Sequence, residues 1–310
     1  MPSTCLYTPV TFVIAFLLFL QPETLSAQQT VFIPKRIGAK KVSSLDSNGW
    51  KSTGLFILNV NQSAQSDWGS GGENFMIGIN CIINKAVHHR KNKYTFDMYA
   101  DLELGVVEAT SFKRFRKTTD RFDMTAELEH SIGTKGHFNY ALLGNINTQL
   151  FEGHNYTKDD HPKISGLLSP GKFLLSFGID YKNTNRDNYF SLFISPATIR
   201  WVTKIDRDFY TVTKFGVDSS QKVNTEIGAY LSVHYNAKLS KTANLISRLD
   251  LFSNYKRKPR NVDVLLNNVL TISINKFLAG TFLFDILYDH DYKKRTQVQE
   301  VTGLGLRLKL

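Results

Sequence analysis

From Trp50 to the C-terminus the chain alternates apolar and polar residues with a period of two, the pattern of a strand whose two faces meet different surroundings. In Tyr94 to Val106, residues Tyr94, Phe96, Met98, Ala100, Leu102, Leu104 and Val106 alternate with Thr95, Asp97, Tyr99, Asp101, Glu103 and Gly105. One face is wholly apolar and the other carries Asp97, Asp101 and Glu103. The same alternation sets Phe122, Met124, Ala126 and Leu128 against Arg121, Asp123, Thr125, Glu127 and Glu129. It sets Phe173, Leu175, Phe177, Ile179 and Tyr181 against Lys172, Leu174, Ser176, Gly178, Asp180 and Lys182, and Leu304, Leu306, Leu308 and Leu310 against Gly303, Gly305, Arg307 and Lys309. Strands of soluble sandwiches run about 5–6 residues, whereas these ladders are long enough to cross a bilayer at a tilt. Charges are dense on the second face, so a polar interior suits them better than a soluble core does. The pattern predicts an all-β chain forming a single antiparallel transmembrane β-barrel.

Twelve segments carry the alternation: 53–62, 74–84, 93–106, 118–131, 137–151, 171–182, 188–196, 223–236, 243–255, 262–275, 279–289 and 296–310. An even count is what a bacterial single-chain barrel requires. Links after odd-numbered segments include the two longest, 152–170 and 197–222, whereas those after even-numbered segments are short except for 85–92. Short periplasmic turns and longer external loops are the known asymmetry of such barrels, and this places both termini in the periplasm. An extra hairpin from Thr198–Lys204 and Thr211–Val217 would raise the count to fourteen.

Phe12 to Leu20 reads FVIAFLLFL and is followed by Leu25-Ser26-Ala27, the core and small-residue site of a secretory signal peptide. The expected organisation is a signal peptide over 1–27, a periplasmic N-terminal segment over 28–49 and an outer-membrane barrel over 50–310. Cys5 leaves with the leader and Cys81 stands alone, which excludes a disulfide framework within the mature chain.

Composition narrows the function classes. A mean hydropathy of −0.22 and the lack of any other long apolar run exclude a polytopic helical membrane protein. The net charge is +11, from 38 Lys+Arg against 27 Asp+Glu. The basic residues gather in turns and loops and not along one helix face, which suits an anionic surface such as outer-membrane lipid and lipopolysaccharide. No recognition helix or aromatic stacking ladder accompanies them, so nucleic acid is not expected as a partner.

No catalytic set stands out, and an enzyme is not expected. His130 and His234 fall near periplasmic strand ends with no serine nucleophile motif beside them. His154, Asp159, Asp160 and His161 in the third external loop, and Asp289-His290-Asp291 in the last, read as solvated loop residues. The same holds for His88-His89 among Arg90, Lys91 and Lys93, read as a basic periplasmic turn. Asp67-Trp68-Gly69-Ser70-Gly71-Gly72 lacks the Lys-Ser/Thr and the helix of a phosphate loop. No cofactor and no metal is expected.

The lumen is the nearest thing to a site. Pairing the third and fourth segments about a loop near Phe112 sets Glu103 beside Arg121, Asp101 beside Asp123 and Asp97 beside Glu127, with Asn80 near Asp97. Neighbouring carboxylates disfavour joint ionisation unless cations compensate. Arg248, Arg307, Lys309 and Lys172 are the expected inward-facing cations. Asn80, Asp97, Asp101, Glu103, Arg121, Asp123, Glu127, Arg248 and Arg307 are therefore the lumen-lining candidates.

Several motifs also carry a likeness. Trp50, Asn61-Gln62-Ser63 leading to Asp67–Gly72, Lys117-Thr118-Thr119-Asp120, Thr148–Gly153, Ile164-Ser165 through Pro170-Gly171, Ser195-Pro196, Leu251–Tyr255 and Tyr288-Asp289 resemble the Bacteroidota family catalogued as domain of unknown function 3078. The resemblance runs in order from Trp50 to Leu310. It implies an outer-membrane barrel of a Gram-negative bacterium and no assigned reaction or ligand. The expected function is that of a small-solute channel or of a scaffold barrel that meets other envelope proteins. An outer-membrane lipid or peptide hydrolase is the alternative.

Overall fold

The computed structural model describes residues 48–66, 73–112, 114–133, 137–184, 188–256, 259–275, 278–289 and 293–309. The leader, nearly all of the N-terminal segment, the Asp67–Gly72 loop and His290-Asp291 lie outside them. The strands in chain order are β1 (Gly49–Ala64), β2 (Phe75–Lys91), β3 (Tyr94–Ala109), β4 (Arg116–Ile132), β5 (Phe138–Thr148), β6 (Gly153–His154), β7 (Lys163–Ser165), β8 (Gly171–Thr184), β9 (Asn188–Thr203), β10 (Val223–Lys238), β11 (Ala243–Asn254), β12 (Val262–Ser273), β13 (Leu278–Asp289) and β14 (Lys293–Lys309).

Twelve of these form one closed antiparallel barrel, and β6 and β7 pair in a small sheet within the loop between β5 and β8. Every barrel pairing joins neighbours along the chain, except that β14 returns to β1 with Leu55 opposite Lys309 and Leu58 opposite Leu306. Closure removes the free edge that hydrocarbon does not tolerate. Among the described residues no helix is long and apolar enough to cross a membrane.

Burial follows the alternation. On β11, Ile246, Arg248, Asp250, Phe252 and Asn254 are buried while the residues between them are partly exposed. On β5, Phe138, Tyr140 and Leu142 are exposed while Asn139, Ala141 and Leu143 are buried. An exposed apolar face around a partly polar interior is the arrangement of an outer-membrane barrel, and the chain is one. Phe96, Leu102 and Leu128 belong to the outer face. Aromatic rings band its short-turn rim: Phe138 lies 5.0 Å from Tyr181, which lies 6.3 Å from Phe190, and Tyr235 sits opposite Phe190.

Several strands extend past the boundaries read from the sequence, β2 and β9 by the most. β2 runs to Lys91, so His88 and His89 belong to a strand and not to a turn. The turn is only Asn92-Lys93, with Asn92 at φ 56°. The last apolar residue on the outward face is Val87, and the hydrogen-bonded ladder continues to Lys91. β9 continues through Thr203, and the second half of the supposed extra hairpin contributes only an isolated Lys214–Val217 bridge, so the barrel count is twelve. Proline cannot donate to a ladder, and the strand absorbs Pro196 in a bulge. Ser195 Oγ donates to Phe177 O at 2.7 Å across this bulge. Opposite it lies Gly178, where a Cβ would stand 2.1 Å from Ile194 O, so only glycine lets the two backbones approach.

Candidate functional site in the barrel interior

The predicted register of β3 and β4 is the observed one: Asp97 faces Glu127, Asp101 faces Asp123 and Glu103 faces Arg121. All the carboxylates in these pairs are buried on the inner face. Arg121 Nη2 donates to Glu103 Oε2 at 2.7 Å. Asn80 is not near Asp97. It stands opposite Gly105 and donates to Thr119 Oγ1 at 3.0 Å, because β2 pairs with β3 in a register that instead sets His88 opposite Asp97.

The like-charged pairs are met in two ways. Amides serve the middle pair: Asn84 donates to Asp101 at 2.5 Å, and Asn145 and Asn147 donate to Asp123 at 3.1 and 2.7 Å. A lysine serves the pair nearer the short turns. Lys182 Nζ on β8 lies 3.2 Å from Asp97, 3.4 Å from Asp180 and 3.8 Å from Glu127, and it donates to Glu129. His88 Nδ1 completes this nest at 2.5 Å from Asp97 Oδ1. Asp97, Glu127 and Glu129 are the one set of acidic and metal-ligating groups among the described residues close enough together to hold an ion, and the Lys182 ammonium already sits among them. The third-loop residues His154, Asp159, Asp160 and His161 do not converge in this way; His154 and His161 flank Tyr156 by ring contacts.

Toward the long-loop end the interior is crossed by further ion pairs. Arg200 on β9 pairs with Glu226 on β10 and, at 2.7 Å, with Asp263 on β12. Lys172 on β8 reaches Asp289 on β13 at 3.2 Å, and four strands separate these two along the barrel wall. Of the four expected cations, Lys172 thus crosses the lumen. Arg248 pairs with Asp250 on its own strand at 2.7 Å and donates to Tyr230 on the adjacent one at 3.1 Å, a local bond that its place two residues before Asp250 favours. Arg307 takes its place opposite Ile57 in the seam, and its side chain and that of Lys309 lie outside the description. Between the ionic tiers lies an apolar layer of Ala141, Leu143, Leu174, Phe193, Tyr230 and Phe252, all inward-facing.

Sequence reasoning missed Lys182, Arg200, His88 and the three amides. Lys182 carried a usable signal, because it shares the parity of Asp180 and Lys172. Arg200 was hidden by the early end assigned to β9.

The two long loops 149–170 and 204–222 are braced against each other at one end of the barrel. Phe209, Phe215 and Val217 pack against Val202, an inner-face residue of β9, so the 204–222 loop turns inward over the barrel. Lys163 in the third loop bridges to Asp206 at 2.6 Å and to Glu152 at 2.5 Å, and Asp206 N donates to Ser169 Oγ. Beneath them Lys117 Nζ donates to Asp120, Gln149 and Phe151 O.

Residues 60–154 match the family described as "Protein of unknown function (DUF3078)". That stretch spans β1 to the third loop and holds the acidic half of the interior. No curated protein matches the chain. Among solved structures, the chain is similar to the translocator domain of the autotransporter NalP from Neisseria meningitidis (10% identity, 85% of this chain and 90% of that one, TM-score 0.33). It is also similar to the NanC porin (10%, 82% and 97%, TM-score 0.35) and to the COG4313 outer membrane channel from Pseudomonas putida F1 (13%, 87% and 99%, TM-score 0.38).

Proposed function

We propose that this outer-membrane barrel is a non-conducting, non-enzymatic scaffold of the envelope and not an open solute channel. The observation that carries the reading is the Lys172–Asp289 bridge, which ties opposite walls of the lumen. The Arg200–Asp263 and Lys182–Asp97 bridges cross shorter arcs, the Phe193–Tyr230–Phe252 layer fills space between them, and the braced loops cover the mouth. Twelve strands lie between barrels filled by side chains and open porins, so occupancy of the lumen and not strand number favours the closed reading. On this reading the outer surface meets lipid and lipopolysaccharide, and other envelope proteins dock on the exposed rims.

The test is conductance in planar bilayers under a salt gradient. The expected result is no stable open level for the wild type or for Asp101→Asn with Asp123→Asn. A steady conductance in the wild type overturns the proposal, and a cation preference lost in the double substitution would assign the acidic wall to a pore lining.

A further inference from the structure

The lipid-facing side of β2 breaks its own pattern. Alternate residues Ile77, Ile79, Cys81 and Ile83 face outward, and the same face continues as Lys85, Val87, His89 and Lys91. Asn84 and His88, the neighbours in the other parity, are buried inside, so the direction of Lys85 is settled by the alternation. Lys85 and Lys91 are exposed and His89 is half-buried. Three basic groups thus form one column, and the outward residues beside it on β1 and β3 are uncharged.

Among the described residues the neighbouring strands offer the column no acid on its own face. Outward positions of β1 are Trp50, Ser52, Gly54 and Phe56, those of β3 are Tyr94, Phe96, Met98 and Ala100, and those of β4 are Phe122, Met124, Ala126, Leu128 and His130. Lys85 stands four residues inside His89, which at about 3.3 Å per residue and a tilt near 40° is roughly 10 Å into the apolar band. A charge held there on the lipid face is costly unless it bends back to the interface. The chain permits that bend: on its own row Lys85 has Gly54 on one side and Ala100 on the other, so no bulky side chain stands beside its stem.

The column descends into an aromatic frame at headgroup level. Trp50, 67 % exposed, stacks on the His89 ring at 4.3 Å, and Tyr94 lies beside His130 at 4.7 Å. Indole N–H and phenol O–H groups favour the wet edge of a bilayer. Arg90 and Lys93 at the same turn add positive charge around it.

We infer that this face of β1–β3 is a binding site for an anionic phospholipid of the periplasmic leaflet, its phosphate held by Lys85, His89 and Lys91 within the Trp50–Tyr94 frame. A phosphate supplies the negative charge that the outward positions of β1–β4 beside the column lack, and its acyl chains cover the Gly54 and Ala100 positions. The inference needs only the orientation of the barrel and holds whether or not the lumen conducts.

Trp50 reports on the site directly. The mature barrel carrying Trp68→Phe and Trp201→Phe is reconstituted into phosphatidylcholine vesicles, and quenching of Trp50 is compared for brominated phosphatidylglycerol and brominated phosphatidylcholine. The expected result is a preference for phosphatidylglycerol of about twenty-five-fold, with Lys85 and Lys91 contributing roughly fivefold each. Lys85→Met, a substitution that a lipid-facing wall accepts, lowers the preference about fivefold, and Lys85→Arg retains it. Equal association of the two lipids with the wild type overturns the inference. So does an unchanged preference in Lys85→Met, and if that variant also changes the oligomeric mass in native mass spectrometry, the face belongs to a second copy of the chain instead.

Discussion

Removing the Lys182 ammonium is the sharpest perturbation of the interior. It touches four carboxylates, with Asp97 at 3.2 Å, Asp180 at 3.4 Å and Glu127 at 3.8 Å, and Glu129 in direct hydrogen bond. At an effective dielectric near 20 a single contact at this range is worth about 4–5 kcal/mol before the cost of taking the ammonium out of water. Breaking a buried pair from one side costs about 3–5 kcal/mol, because the remaining charge is left uncompensated. In Lys182→Met the four acids also repel one another, so the expected loss is at least about 3 kcal/mol at pH 7. Adding Glu129→Gln removes one of the four charges and should recover a substantial part. The assay is the urea midpoint of the heat-modifiable form in micelles. A loss below about 1 kcal/mol, the range of solvent-exposed pairs, would refute the reasoning and mean that water screens the nest.

The loop cap should respond to acid. Partial burial pushes the Asp206 carboxyl up, but hydrogen bonds from Lys163 and the Asp208 N–H, with the charges of Lys163 and Lys214, outweigh it and hold the group below its ordinary 3.8. Its folded pKa is depressed, so its stabilisation is present above pH about 4 and is lost as the pH falls through the folded value. Hydrogen exchange in residues 204–222 should be faster at pH 3 than at pH 6 after correction for intrinsic rates, and a constant protection factor would count against the bridge. Gly178→Val should prevent the heat-modifiable form from accumulating, since its Cβ has nowhere to go, whereas Gly144→Ala, which meets nothing within 4 Å, should fold normally. Deleting Arg307–Leu310 removes the partners of Leu55, Phe56 and Ile57, and the expected outcome is loss of the heat-modifiable band from membranes. Unchanged migration would show that the seam does not depend on these pairs.

Much of this fold was legible because lipid imposes alternation on every spanning residue: the twelve strands, the β3–β4 register and the aromatic rim at the short turns all follow from parity. The boundary errors fall at strand ends. β2 continues past Asn84 through a basic stretch, and β9 continues past Pro196, where Ile199 and Trp201 resume the outward alternation. The interior was legible as a set of acids but not as a network. Parity says that Asp97 and Lys182 both point inward, yet it does not say which of two strands apart in sequence face each other across the lumen. Arg248 pairs locally with the acid two residues on, whereas nothing in the sequence around Lys172 points to Asp289 across the lumen.

The seam between β1 and β14 also sets an order of assembly. Every other pairing closes a short stretch of chain, so the sheet can grow hairpin by hairpin. The seam alone joins residues about 250 apart, from Leu55 to Lys309. For a flexible chain of that length, drawing the ends together costs about 5 kcal/mol in entropy beyond a constant. A sheet already paired and curled by its own twist has lost most of that freedom, so closure is cheap only once the hairpins exist. The first strand made must therefore wait, with its edge unpaired, for the last. Until they meet, both edges are open to pairing with other chains, and whatever receives this polypeptide at the outer membrane has to shield two edges and bring them together.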